Sequence, residues 1–300
     1  MSILAKVTKG KIKRPKIILV FGADGCGKST FSSQAPNPIF LGAEDGTSNL
    51  DIARFPQPQS WKDVINYLTT LKTENHDYKT VVVDSLDWVE PILHREICAE
   101  YGVNSIEKAA GGYGKGYGEA VNKWNEFIKC CSDLRDKGMN VILIAHAEIV
   151  KFSDPMMQTE YDRYQLKLYR KSAALLREFC DAVLFATYEM FTKKDNGRTR
   201  AFGEGVRVMY TERRPGFDAK NRYGLPFQLS LDWVEFEKAC EAGQPHAPAY
   251  LKNQIIELIK EITDPELRKK IEDTLEKTGN DSAKLEQIKN RILVLLEQAT

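Results

Sequence analysis

The chain has 300 residues, of which 42% are hydrophobic and 28% charged, and it carries a formal net charge of +1 at pH 7. This composition is that of a globular protein. The length predicts one large or two modest domains. The balanced charge excludes a global positive field, so any nucleic-acid site must be a local patch. Residues 1–16 lack the apolar core of a secretory signal, and no apolar run approaches membrane-spanning length. We therefore expect a cytoplasmic protein without membrane contact.

The first predicted strand, residues 16–21, runs into the most informative motif in the chain. A Gly-x-x-x-x-Gly-Lys-Ser sequence follows it and precedes a segment that can open a helix, which is the setting of a P-loop. Glycines let backbone N–H groups face a polyphosphate, Lys28 can reach the β- and γ-phosphates, and Ser29 can bind Mg²⁺. The predicted nucleotide-binding residues are Gly22, Ala23, Asp24, Gly25, Cys26, Gly27, Lys28, Ser29 and Thr30.

Cys26, inside this loop, has two interpretations. A position at the start of a helix would lower the pKa of its thiol, whereas small size alone also explains a cysteine in a tight turn. The six cysteines of the chain lack paired metal-ligand spacing, so we expect free thiols in a reducing compartment.

Strands and helices alternate after the P-loop. Pro36 and Pro38 end the first helix early. Further strands are predicted over residues 38–42, 79–85, 140–146, 182–186 and 207–211. Helices are predicted from Ser60, as an N-cap, and over residues 87–100, 119–136 and 167–179. Asn196-Gly197 is a hairpin signal between the last two strands. The pattern predicts an α/β fold with a mainly parallel sheet flanked by helices and a small antiparallel edge.

A proline-containing linker, residues 245–248, separates this region from a helical C-terminal segment. Amphipathic stripes predict three helices, over residues 249–262, 264–277 and 281–298. The sequence therefore predicts a nucleotide-binding α/β core over residues 1–244 and a small helical module over residues 245–300, suited to docking a partner or stabilising an oligomer.

Three polar residues lie at the ends of predicted strands, where parallel strands would bring them to the P-loop edge. Asp84 can coordinate Mg²⁺ through water, although a generic strand-terminal aspartate is the alternative. Glu44 is the best candidate to deprotonate a water molecule, with the adjacent Asp45 and a turn-capping role as alternatives. His146 can hydrogen-bond a γ-phosphate or be a satisfied buried histidine.

The order of Glu44, Asp84 and His146, each after a strand, resembles that of the RecA-like ATPases. The chain is similar to the phage branch of that family, which comprises P-loop ATPases implicated in recombination and single-strand annealing. The resemblance covers about residues 14–235. It includes Gly-Lys-Gly-Tyr-Gly at 114–118, Leu-Leu-Arg-Glu-Phe-Cys-Asp-Ala-Val at 175–183 and Ala-Lys-Asn-Arg-Tyr-Gly-Leu-Pro at 219–226.

This resemblance implies a RecA-like fold that binds ATP and Mg²⁺. It gives Glu44 the role of catalytic base, and it puts His146 in the place of a polar sensor, where the family usually has an amide. Lys220 and Arg222 resemble the motif by which a neighbouring subunit inserts a cation toward the bound nucleotide. Residues two apart on an extended segment share a side, so both cations point together; a solvated basic loop is the alternative. The implied active site is shared within a ring or filament.

Two segments have a composition suited to single-stranded DNA, because they interleave cations for phosphates with aromatic rings for base stacking. They are residues 105–117 and 151–171, which correspond to the mobile DNA-path loops of RecA-like proteins. Plain surface loops are the alternative. The predicted DNA-binding residues are Lys108, Lys115, Tyr117, Lys151, Arg163, Lys167 and Arg170.

The favoured function is a RecA-like ATPase that binds single-stranded DNA in phage-type recombination or annealing. A single-strand-binding protein or another recombination protein is a candidate partner, and the host cytoplasm is the expected location if a phage encodes the chain. Two alternatives remain open: a hexameric helicase-like motor, and a nucleotide switch or kinase without a DNA role.

Overall fold

The computed structural model describes residues 7–10, 12–44, 46–155, 159–189, 191–195, 198–202, 205–242, 248–262, 264–279 and 282–298. The chain divides into two compact units, the first comprising residues 1–222 and 228–237 and the second residues 223–227 and 238–300. The boundary between residues 244 and 245 stays a prediction.

The chain up to residue 242 alternates strands and helices, as predicted. Its elements are β1 (Ile17–Gly22), α1 (Lys28–Ser33), β2 (Pro38–Gly42), β3 (Ala53–Arg54), α2 (Trp61–Thr73), β4 (Thr80–Asp84), α3 (Leu86–Glu100), a 3₁₀ helix (Ile106–Gly111), α4 (Gly116–Asp136), β5 (Asn140–Phe152), β6 (Tyr161–Leu166), α5 (Arg170–Phe179), β7 (Ala182–Tyr188), β8 (Phe191–Asp195), β9 (Arg198–Phe202), β10 (Arg207–Tyr210), β11 (Lys220–Asn221), β12 (Gln228–Ser230) and α6 (Trp233–Ala242).

One large sheet organises the first unit. Within the described residues its strand order is β12-β10-β7-β1-β5-β4-β2-β3, with β11 paired to β7 and β6 paired to β5. The strands from β7 through β1 to β3 pair in parallel, whereas β10, β11, β12 and β6 join antiparallel. The predicted α/β class, with a mainly parallel sheet and flanking helices, is therefore confirmed.

The apolar strands are buried on both faces of this sheet. Ile17, Leu19 and Phe21 of β1 belong to a core that also contains side chains from α2, α3, α4 and α5. Ile18 and Val20, at the alternate positions, are equally buried toward the other face. This two-sided burial explains why the central strands read as continuous apolar runs.

Local signals fixed several helix ends. Ser60 caps α2 as predicted, because its side chain accepts a hydrogen bond from the Asp63 N–H while the Asp63 carboxylate accepts one from the Ser60 N–H. The first helix is short, as the following prolines require: α1 ends at Ser33.

The segment predicted as the second DNA loop is partly a hairpin. β5 continues to Phe152, six residues beyond His146, and pairs antiparallel with β6. The prediction of a loop over residues 151–171 is thus wrong at residues 151–152, 161–166 and 170–171, which lie in β5, β6 and α5. Along β6, exposed Asp162 and Tyr164 alternate with buried Arg163, so the segment has a charged composition that resembles a loop.

The predicted hairpin near residue 196 also differs in detail. β7 and β10 pair antiparallel with each other, and β8 and β9 form a further two-stranded hairpin between them. Asn196 and Gly197 themselves lie outside the described residues.

The second unit contains the three helices predicted near the C-terminus: α7 (Pro248–Lys260), α8 (Pro265–Thr278) and α9 (Ser282–Gln298). Asp264 caps α8 by accepting hydrogen bonds from two N–H groups of its first turn. The apolar stripes of the three helices form a small core around Leu251, Ile255 and Ile292. Among the described helices, none combines the length and apolar character needed to cross a bilayer.

Candidate active site

The P-loop lies at the carboxyl end of β1, between the sheet and α1. Gly25 and Gly27 have φ angles of +69° and +100°, in the left-handed region that favours glycine. A Cβ at Gly22 would lie 2.0 Å from the carbonyl oxygen of Ala186 on the neighbouring strand. The motif's glycines are therefore required by backbone conformation at two positions and by close strand packing at the third.

The environment of Cys26 bears on the two interpretations of its thiol. Its side chain is fully buried, and burial raises the pKa of its thiol, although the nearby Lys28 charge acts in the opposite direction. The lowered pKa expected at a helix start is thus contradicted, because loss of solvent outweighs the favourable charges.

Lys28 and Ser29, which begin α1, are held in place from opposite sides. The buried Lys28 ammonium donates to the carbonyl oxygens of Gly22 and Ala23, at 3.2 and 2.8 Å. The Ser29 hydroxyl donates to the Asp84 carboxylate at 2.6 Å. The loop therefore presents one cation and one hydroxyl side by side at the end of the central strand.

Ser29 and Asp84 offer the oxygen donors that Mg²⁺ binds. Asp84 is 2% exposed, and burial raises its pKa despite the Ser29 hydrogen bond and the Lys28 charge. The pair would hold an Mg²⁺ ion, which would supply positive charge beside bound phosphates. In the described part of the chain, no group of three or more histidine, cysteine, aspartate or glutamate side chains could hold a metal by itself.

Glu44 reaches the same edge because β2 and β4 pair in parallel with Gly42 opposite Asp84. Ala43 continues this pairing by donating its N–H to the Asp84 carbonyl at 2.7 Å. Burial raises the pKa of the half-buried Glu44 carboxyl, with the charges of Asp84 and Asp87 adding to the rise and His146 and Lys28 opposing it. A raised pKa makes this carboxylate a stronger base near neutral pH. Asp45 lies outside the described residues.

His146 stands beside the P-loop, since the pairing of β1 with β5 sets it opposite Gly22. Its backbone N–H donates to Oδ1 of Asp87, and its Nδ1 hydrogen-bonds Oδ2 of the same carboxylate, each at 2.9 Å. Its other ring nitrogen lies 3.4 Å from the Asp24 carboxylate of the P-loop. The hydrogen bond that His146 donates to Asp87 raises the pKa of His146 in spite of partial burial.

Asp87 is a site residue that the sequence did not reveal. Its side chain is 3% exposed; burial alone would raise its pKa, but the hydrogen bonds from His146 lower it overall. One signal in the sequence could have identified Asp87: it lies in the first turn of α3, directly after β4. A carboxylate there can reach His146 on the neighbouring strand β5.

The Asp87–His146 pair predicts a pH-dependent contribution to stability. Asp87→Asn keeps the side-chain shape but removes the charge, and should cost about 1.5–3 kcal/mol of unfolding free energy. The loss should be largest between pH 3.8 and 6.5, the ordinary pKa values of the two groups. It should shrink below that range as Asp87 protonates, and above it as pH rises through the raised pKa of His146. Urea unfolding at a series of pH values measures this, and a pH-independent difference would contradict it.

Lys220 and Arg222 lie away from this edge within one chain. β11 pairs with β7 so that Lys220 is opposite Val183, at the amino end of β7, whereas Gly22 is opposite Ala186 at its other end. The Lys220 ammonium donates to three carbonyl oxygens at the end of α5, those of Arg177, Glu178 and Cys180. Burial, followed by the Arg222 charge, lowers its pKa. Arg222 is 57% exposed and lies 3.3 Å from Asp181.

The first predicted DNA segment presents exposed groups. Lys108 and Lys115 are exposed, and Tyr113 is 99% exposed. Tyr117 instead stacks on Tyr169 of the second segment, with ring centroids 4.1 Å apart. Lys108, Tyr113, Tyr117 and Tyr169 line an open pocket of about 660 Å³. The structure therefore brings the two predicted segments into contact through one aromatic pair.

Some cations of the second predicted DNA segment are exposed, and others pair with carboxylates of the same chain. Lys167 and Arg170 are exposed, and Lys151 pairs with Asp162 at 2.7 Å. Arg163 is 3% exposed, donates to Asp218 at 2.9 Å and lies over the Phe152 ring at 4.6 Å. Arg163 therefore has a structural role. Side chains alternate between the two faces of β6, and Arg163 lies on the buried face.

Several of these cations line one basic cleft. It has a volume of about 1250 Å³ and lies between the β5–β6 hairpin, α5 and the segment 213–222. Arg163, Arg177 and Arg213 surround Asp218 in it, so three cations face one carboxylate. The cleft is also lined by Lys151, Arg170, Lys220 and Arg222.

The chain is similar to a known protein family and to one curated protein. The family model AAA_24, described as an AAA domain, matches residues 14–223. A SPbeta prophage-derived uncharacterized protein, YorG of Bacillus subtilis (strain 168), is 29% identical over 151 residues, which cover 49% of this chain and 44% of that protein. The match thus spans less than half the length of this relative.

Solved structures that resemble the chain include the RadB recombinase, with 15% identity and a TM-score of 0.38 over 67% of this chain and 82% of that one. A KaiC-like protein from Pyrococcus horikoshii OT3 has 14% identity and a TM-score of 0.34 over 67% of this chain and 80% of its own. At these TM-scores neither likeness is support for a function.

Proposed function

The chain belongs to the AAA domain family that matches residues 14–223, and from this membership we propose that it is an Mg²⁺-dependent ATPase that binds single-stranded DNA. Its role is in phage-type recombination or single-strand annealing, in the cytoplasm of the host cell. It acts as a ring or filament of identical subunits, with nucleotide at the subunit interfaces. Similarity to a prophage-derived protein supports the phage setting.

The observation that carries the ATPase proposal is the meeting of five side chains at one sheet edge. Lys28 binds the β- and γ-phosphates, and Ser29 with Asp84 holds Mg²⁺, which supplies positive charge against the charge that develops on phosphate oxygens. Glu44, with its raised pKa, orients water and takes its proton. His146, fixed by Asp87, offers its second ring nitrogen to the terminal phosphate.

The shared-site part of the proposal rests on Arg222. Its exposed guanidinium lies at the sheet end opposite its own P-loop, so it can serve only a nucleotide held by another subunit. Lys220 is already bonded to three carbonyl oxygens. We therefore assign the inserted cation to Arg222 and give Lys220 the role of anchoring the segment to α5.

Arg222→Ala should lower ATP turnover by about 10³-fold or more, the effect of removing a cation that stabilises phosphoryl-transfer charge. Mixing this variant with Lys28→Ala should restore activity, because Lys28→Ala subunits donate an intact Arg222 to intact P-loops. Phosphate release by each variant alone, and by the mixture at the same total concentration, measures the recovery. A mixture no more active than its components would argue against a shared site.

DNA binding is supported by exposed groups on the two predicted segments. Lys108, Lys115 and Tyr113 project from the first segment, and Lys167 donates its backbone N–H to the His146 carbonyl at 3.0 Å. DNA held by the second segment can therefore bias the position of the sensor residue. The basic cleft supplies further cations for phosphates.

A steady-state ATPase assay with and without single-stranded DNA tests the proposed function. We expect stimulation by DNA, with binding that weakens as salt rises through counterion release. Turnover without DNA stimulation or salt-sensitive binding would instead favour a nucleotide switch or kinase. Unwinding of a forked duplex would favour a helicase-like motor.

A further inference from the structure

Three side chains from the antiparallel edge of the sheet line the P-loop on the side away from Asp84. A Cβ at Gly27 would lie 3.0 Å from Nη1 of Arg207 and 3.4 Å from Leu231. The Tyr188 hydroxyl donates to the Gly25 carbonyl at 2.9 Å. Arg207, Tyr188 and Leu231 therefore contact two of the glycines that shape the loop.

Arg207 and Tyr188 form a pair held by strand register. They stand opposite each other on β10 and β7, and the Arg207 guanidinium lies 5.9 Å from the centre of the Tyr188 ring. The nearby carboxylate of Glu189 is engaged by Gln228 at 3.0 Å. The exposed guanidinium of Arg207 thus rests between the tyrosine ring and the P-loop backbone.

Strand order gives the direction of a nucleotide across this loop. β4 and β2, which carry Asp84 and lead to Glu44, lie on one side of β1, and β7 and β10 lie on the other. With neighbouring strands about 4.8 Å apart, β10 is roughly 10 Å from β1. If the proposed function holds, the terminal phosphate points toward Asp84 and Glu44. The nucleoside end then extends toward β7 and β10.

We propose that Arg207 binds the α-phosphate and that Tyr188 holds both Arg207 and the P-loop in position for it. A guanidinium presents several donors in one plane and can bond two phosphate oxygens at once. Hydrogen bonding of Tyr188 to Gly25 ties this cation to the conformation of the loop. Arg207 therefore contributes to binding of any nucleotide with this α-phosphate, whether a diphosphate or a triphosphate.

The test is equilibrium binding of ATP and ADP, measured by calorimetry in Mg²⁺ with the full chain. Arg207→Ala should weaken both nucleotides roughly tenfold and by equal factors, the effect of losing a hydrogen bond to a charged group. Arg207→Lys, which keeps the charge but not the planar fork, should give a smaller loss. Tyr188→Phe should weaken both nucleotides less than Arg207→Ala does. The control is Arg95→Ala, an exposed arginine on α3, which should leave both affinities unchanged.

Turnover gives a second readout. Arg207→Ala should raise KM and leave kcat near the wild-type value, because the α-phosphate contact is the same in the ground and transition states. Wild-type affinities in Arg207→Ala, or a loss confined to ATP, would overturn this assignment while leaving the ATPase proposal intact. Absence of binding of either nucleotide by the wild-type chain would overturn both.

Discussion

Glu44→Gln is expected to reduce ATP hydrolysis by about 10²- to 10⁴-fold, the usual contribution of a positioned general base. ATP binding should persist, because the P-loop lysine and serine that hold the phosphates are untouched. Glutamine keeps the shape of the side chain and its place after β2, so the loss isolates the proton-accepting role.

The measurement is kcat together with the equilibrium affinity for ATP. Glu74→Gln is a matched control, since Glu74 is an exposed carboxylate at the end of α2, and it should behave as the wild type. In the wild type, activity should fall as pH drops through the raised pKa of Glu44, because only the ionised carboxylate accepts a proton. Full hydrolysis in Glu44→Gln would transfer the base role to Asp45 or to another group.

Lys28→Ala should abolish turnover and weaken ATP binding. The lysine ammonium lies within the loop, 2.8 Å from the Ala23 carbonyl, where it can exchange these backbone acceptors for phosphate oxygens. Losing charged hydrogen bonds of this kind costs about 1.5–3 kcal/mol, or roughly 10- to 150-fold in Kd.

The variant also removes side-chain volume from a buried position, so folding needs its own check. Lys28→Met retains most of the aliphatic length without the charge, and should show the same loss of ATP binding while melting close to the wild-type temperature. Normal ATP affinity in Lys28→Met would remove the P-loop lysine from the binding site.

The site residues at the ends of apolar strands could be predicted because the signals for them lie in short, contiguous stretches of sequence. Strand, glycine turn and lysine occur in one contiguous stretch at the P-loop, and a carboxylate directly after a buried parallel strand reaches the same edge wherever the strand lies. Asp84 and His146 were located by this reasoning, and the sheet order confirms that β4, β5 and β1 are neighbours.

Long-range pairings could not be predicted in the same way. Arg163 looks like a DNA contact in a charged segment, yet its partner Asp218 is 55 residues away in the chain. Arg207 lies against Gly27 only because β10 pairs with β7 and β7 with β1. No spacing in the sequence links these residues, because each contact depends on strand register across the sheet.

The hairpin of β5 and β6 shows a different difficulty. Alternating charged and apolar residues in a strand with one polar face resemble the composition of a surface loop. The pairing of Val150 with Arg163 and of Phe152 with Tyr161 reveals a regular antiparallel ladder instead. Composition indicated the cations of this segment but not the backbone that positions them.

The most direct test of the central claim, that this sheet edge hydrolyses ATP, is single-turnover hydrolysis with excess full-length chain, Mg²⁺ and single-stranded DNA. We predict phosphate release by the wild type, no release in EDTA, and release at least about 10²-fold slower by Glu44→Gln even though it retains bound ATP. Equal release by the wild type, Glu44→Gln and Lys28→Ala, prepared identically, would contradict the claim. So would a folded wild type that binds ATP in Mg²⁺ and DNA without cleaving it.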